Sequence, residues 1–112
     1  MIIHNYQSSS GRDLIFKYID SLTEAERIDA LSVLECMEKG EFDKVLFKRW
    51  EKKVYEVYFR KHNRIFYVTV DDDNIYLLHA CRKQKNKTET KDKKIVQKRA
   101  KELGKLLNKR FL

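Results

Sequence analysis

The period of the apolar positions changes along the chain, and the changes mark out its elements. Ile2 to Tyr6 is a short, partly apolar run that predicts a first strand, and Ser8-Ser9-Ser10-Gly11 breaks it. Leu14, Ile15, Tyr18, Ile19 and Leu22 then recur at helical spacing, and Ser10 with Asp13 has the spacing of a capping pair. A helix is therefore expected over 11–22. Thr23 and Glu26 repeat that spacing and restart a helix with a broad apolar face: Ala25, Ile28, Leu31, Val33, Leu34 and Met37. Gly40 suits a left-handed cap behind it. Two helices joined so tightly predict an antiparallel hairpin.

Val45-Leu46-Phe47 reads as a short strand or a buried loop. From Val54 the period becomes two, with Tyr55, Val57 and Phe59 apolar and Glu56, Tyr58 and Arg60 on a polar face. Lys61-His62-Asn63 predicts a tight turn, Arg64 to Val70 a second strand of this group, and Asp71 to Asn74 another turn. Ile75 to Cys81 is apolar on both faces, so it is expected to be central. A basic stretch follows, then a last helix from near Thr90, where Val96, Ala100, Leu103 and Leu107 align. The order β-α-α-β-β-β-α predicts a small α+β domain, a helix pair on one face of an antiparallel sheet. Its 112 residues fit a single domain, 1–112.

Charge adds a direction to this picture. Residues 1–81 carry 12 Lys/Arg and 14 Asp/Glu, a balance of −2, whereas residues 82–112 carry 13 and 3, a balance of +10. The excess of the whole chain, +8, lies at one end, which predicts a polyanion partner. No apolar run is long enough for a membrane span, and nothing at the N-terminus reads as a secretory signal. Cys36 and Cys81 are lone thiols, so a reducing cytoplasm is the expected compartment. A Gly-rich phosphate loop and the H-E-x-x-H and C-x-x-C signatures are missing. His4, His62 and His79 have no cysteine or acid at metal-ligand spacing, so neither metal nor cofactor is expected.

One set of residues could still handle a phosphodiester. RNA is cut without metal when its 2′-hydroxyl attacks the adjacent phosphate, given a base, cations for the charge building on phosphorus, and a donor for the leaving oxygen. Glu56, Arg60, Arg64, Arg82 and Lys83 could supply these, because a meander brings the first strand's polar face beside the start of the second and the end of the third. Lys48, Tyr58, Lys85 and Lys87 would extend the surface toward RNA. Each has a plainer reading: Glu56 as a cross-strand ion pair, Arg60 as an edge charge, Arg64 as a hairpin cap, the lysines as solubilising charges, Tyr58 as packing, and His79 as a hydrogen-bonded core histidine.

V-Y-E-V-Y-F-R-x-x-x-R-I-F-Y-V, then I-Y-L-L-H-A-C-R-K, a Lys/Thr-rich stretch and the helix Q-K-R-A-K-E-L together resemble the RelE/ParE toxin superfamily, and most nearly its phage-derived, HigB-like branch. The resemblance covers nearly the whole chain, with Tyr58 standing where that branch has an arginine. It implies a RelE fold and a toxin of a toxin–antitoxin system that cleaves mRNA on the ribosome. It also implies a hetero-oligomer with a co-encoded, helix-turn-helix HigA-like antitoxin. Carried over, Arg64 contacts the scissile phosphate, Glu56 is the strand acid, and Arg82-Lys83 is the basic pair after the third strand. The alternatives are a ParE-like inhibitor of DNA gyrase and a basic nucleic-acid-binding phage protein that does not cut.

Overall fold

The computed structural model describes residues 1–83 and 88–112. Strand β1 spans Ile2–Asn5, helix α1 Leu14–Asp20 and helix α2 Glu24–Glu38. A 3-10 turn at Phe42–Lys44 leads into β2 (Leu46–Glu51), β3 (Val54–Phe59), β4 (Asn63–Thr69) and β5 (Asn74–Arg82), and α3 (Thr90–Leu107) completes the order. The α+β class is as expected, but the sheet has five strands in the order β1-β5-β4-β3-β2 and is mixed, because β1 runs parallel to β5. The local pattern of β1 carries no information about which strand it meets, so the parallel pair was not visible in it. The extra strand, β2, lies at the open edge with Leu46, Phe47, Lys48 and Arg49 exposed, so nothing forces the alternation that marks a half-buried strand.

Helix α1 starts later than its apolar spacing suggests. Asp13 caps it, accepting the Phe16 N–H at 2.8 Å, while Ser10 is taken up in a tight turn with Ser8. Helix α2 has the expected capping box between Thr23 and Glu26, and Gly40 has the left-handed φ of +71°. The hairpin packs on one side of the sheet, where Ile15, Ile19, Ala30 and Met37 meet Val57, Ile65, Tyr67, Ile75, Leu77 and Ala80. Helix α3 covers the other side, where Val96, Ala100 and Leu103 meet Val54, Phe66, Val68, Leu78 and Cys81. Strand β5 is therefore buried on both faces, as its apolar run predicts. A register slip opposite Phe66 and Tyr67 leaves Leu78 without its own partner, which lets Leu77 and Ala80 share the hairpin side. After α3, Asn108 turns left-handed and Phe111 folds back into the second core. Gly104 permits that return, since a Cβ there would lie 2.6 Å from the Lys109 carbonyl oxygen. No helix among the described residues is long and apolar enough to cross a membrane.

The capping acid of α2 also pins the hairpin to the sheet. The Glu26 carboxylate accepts Asn63 Nδ2 at 3.2 Å and pairs with Arg82 Nη1 at 2.8 Å, as well as closing the box with Thr23. The Arg82 bond, foremost, then those from Thr23 and Asn63, bring its pKa down from 4.5 to about 2. The folded state thus favours the carboxylate, so this stabilisation is complete above about pH 4.5 and fades as pH falls toward 2. Glu26→Gln is expected to lower the thermal midpoint at pH 7, and the gap from the parent should close on acidification through that window. Thermal melts followed by circular dichroism at stepped pH would check it.

Candidate active site

Alternation along the strands decides which charges meet. Val57 and Phe59 face the helix hairpin, so Glu56 and Tyr58 face the α3 side. The register then lays out two rows across that side: Lys48–Glu56–Phe66–His79, and Leu46–Tyr58–Arg64–Cys81. Lys83, just past β5 and held by its N–H to the His62 carbonyl at 2.9 Å, returns to the same side.

Glu56 is the centre of this arrangement. Its side chain has no solvent exposure, and three cations approach it: Lys83 Nζ at 3.2 Å, Arg64 Nε at 3.3 Å and Lys48 Nζ at 3.8 Å from Oε1. Three positive charges on one negative leave a formal surplus of two. Accessibility grades them: Lys48 is 52% exposed, Arg64 12% and Lys83 4%, so the cluster opens to solvent at Lys48 and Arg64. The guanidinium of Arg64 sits over the Tyr58 ring at 4.7 Å, and Lys48 lies 6.0 Å from the same ring. Arg64 Nη1 donates to the Asn63 carbonyl at 3.2 Å. Its Nε is near Glu56 but not aimed at it, and has no hydrogen-bond partner among the described residues.

The expected residues divide by face. Glu56, Arg64, Lys83, Lys48 and Tyr58 are brought together. Arg82 is not: adjacent to Lys83 but of opposite parity, it reaches Glu26 under the hairpin and donates to the Lys61 carbonyl at 3.1 Å. Arg60 lies beyond the end of β3, where Lys61 and His62 take positive φ, and it pairs with Asp29 of α2 at 2.9 Å. The shared polar face expected for Glu56, Tyr58 and Arg60 thus ends at Tyr58. Lys85 and Lys87 lie outside the described residues.

A second group borders the first and was missed in the sequence. His79 Nε2 lies 2.8 Å from Asp92 Oδ1, in the first turn of α3, and Arg99 Nη1 lies 3.4 Å from His79 Nδ1. Burial lowers the His79 pKa against the opposing pull of Asp92, which favours the neutral ring, and the two contacts suit a tautomer with Nε2–H toward Asp92 and Nδ1 toward Arg99. Cys81 completes the group, its thiol pushed up to about 12 by burial. The ligand-capable atoms of His79, Cys81 and Asp92 lie within 4.8 Å of one another, a grouping in space that the expectation of no cysteine or acid at metal-ligand spacing along the sequence did not reach. Only β5 and α3 packing together creates this set. A groove of about 750 Å³ between β1 and α3, lined by His4, Tyr6, Leu14, Arg99 and Leu106, contains none of Glu56, Arg64 and Lys83.

These features define a small basic α+β domain with a carboxylate-centred cation cluster at the end of one sheet face. Residues 17–101 match the family described as Phage derived protein Gp49-like (DUF891). The chain belongs to that family, which is toxin-like and RelE-like, and its fold agrees with a RelE-like domain. No curated protein matches the chain.

Removing the buried carboxylate leaves its cations uncompensated. Glu56→Ala is expected to cost about 3 kcal/mol or more by denaturant unfolding. Glu56→Gln, which keeps the shape and two hydrogen-bonding atoms, should cost less.

Proposed function

We propose that this protein is the toxin of a toxin–antitoxin pair and cleaves mRNA on the ribosome by attack of the RNA's own 2′-hydroxyl. The observation that supports this reading is the convergence of Arg64, Lys83 and Lys48, from three separate β-segments, on one carboxylate with a surplus of positive charge. A phosphate entering at the exposed side meets Lys48 and Arg64 first, and a base next to it can stack on Tyr58. As the phosphate draws Arg64 and Lys83 toward its oxygens, Glu56 is released from them and accepts the 2′-hydroxyl proton. The 2′-oxygen bonds to phosphorus, and the bond to the 5′-oxygen breaks as Lys83 protonates it. A 2′,3′-cyclic phosphate and a 5′-hydroxyl result. Side-chain cations stabilise the phosphorane throughout, so the route needs neither metal nor cofactor. The reading places the protein in the cytoplasm with the ribosome and mRNA, held in check as a hetero-oligomer with a HigA-like antitoxin.

Arg64→Ala is expected to lower mRNA cleavage about 10²–10³-fold, the usual cost of losing one such donor, and to relieve growth arrest while the fold survives. Arg60→Ala, on the opposite face, should cost far less. Primer extension on mRNA from cells expressing each variant reads this directly. Undiminished cleavage by Arg64→Ala refutes the site, and intact mRNA with blocked DNA supercoiling replaces the reading with gyrase inhibition. RNA affinity should also fall steeply with salt. The logarithmic slope should weaken by about 0.7 in Arg64→Ala if one single-strand phosphate contact is lost.

A further inference from the structure

We propose that His79, Cys81 and Asp92 form a binding site for a zinc-class divalent cation, which fastens the start of α3 to the end of β5. The inference does not depend on RNA cleavage. It rests on the one place among the described residues where a nitrogen, a sulfur and an oxygen donor converge, with all three ligand atoms within 4.8 Å of one another. Ligands at about 2.0–2.3 Å from a tetrahedral zinc stand roughly 3.3–3.8 Å apart, so small side-chain movements suffice. The donor set is of the borderline kind that suits zinc and leaves a fourth position for water.

The scaffold produces the set without strain on the backbone. Residues 79 and 81 are two apart on β5 and share the α3 side, and Asp92 arrives from the first turn of α3. Without an ion the same atoms make a hydrogen-bonded pair, His79 Nε2 to Asp92 Oδ1 at 2.8 Å. Binding through Nε2 replaces that bond, moves the ring proton to Nδ1 and sends the Cys81 thiol proton to solvent. Arg99, now facing an N–H, gives up its 3.4 Å contact to Nδ1 but keeps its 2.9 Å bond to the Leu78 carbonyl and its place over the Tyr6 ring at 4.4 Å. Because Cys81 lies two residues before Lys83, the ion would also brace the end of β5 from which Lys83 reaches Glu56.

The test uses the untagged chain, freed of metal by a chelator and titrated with Co²⁺ and then Zn²⁺. The expected result is one equivalent of Co²⁺ with a near-ultraviolet thiolate charge-transfer band and visible ligand-field bands, all displaced by Zn²⁺. Cys81→Ser should lose the thiolate band, and His79→Ala and Asp92→Asn should bind at least about tenfold more weakly. Cys36→Ser should keep the band, which decides the matter even if Cys81→Ser fails to fold. Absence of a thiolate band in the parent, or its loss in Cys36→Ser with retention in Cys81→Ser, overturns the proposal. Arg64→Ala should bind Co²⁺ like the parent, so failure of this site and failure of the RNA-cleaving reading are separable.

Discussion

A carboxylate with no solvent contact survives in a folded protein only if cations come to it, and Glu56 is such a carboxylate. Its position on the inner row of the sheet obliges Arg64 and Lys83 to turn inward, and it is Lys48 and the outer part of Arg64 that the solvent meets. The geometry of the cluster is therefore set by a folding requirement: the neutralisation of one buried charge. A surplus of cations around that charge is also what an incoming phosphate needs. Under the proposed function, stability and phosphate recognition draw on the same side chains, and a substitution at Glu56 would affect both.

The sheet separates two ion networks by parity alone. Arg82 and Lys83 are neighbours in the chain, yet one reaches Glu26 under the hairpin and the other Glu56 beneath the opposite face. On the hairpin side, Glu26, Asn63, Tyr18 and Arg82 form a connected set that ties α2 to the β3–β4 turn and the end of β5. That set fixes the strand ends from behind while the second cluster forms in front. The same turn sends Arg60 to Asp29, away from the cluster.

Much of the fold was legible because its local signals are physical ones: the Thr23–Glu26 box, the period of two from Val54, the doubly apolar β5 and the α3 stripe ending at Leu107. Strand β2 was ambiguous because an exposed edge imposes no alternation, and the parallel β1–β5 pair was hidden because pairing is not a local property. For the candidate site, Glu56, Tyr58 and Arg64 followed from alternation and hairpin geometry. The parting of Arg82 from Lys83 needed the strand to continue to its last residue, a boundary that propensity does not fix. The His79–Asp92–Cys81 group was out of reach altogether, because it exists only when the first turn of α3 lands on β5.

In the proposed mechanism, Arg64 and Lys83 act together on one phosphate. A double-mutant cycle on the rate of mRNA cleavage, with Arg64→Ala, Lys83→Ala and the double variant, tests it most directly. Residues serving one transition state should show strong non-additivity, with the double variant little slower than the slower single one. Losses that simply multiply would mean that the two cations work at separate places, and the single-site account would not stand.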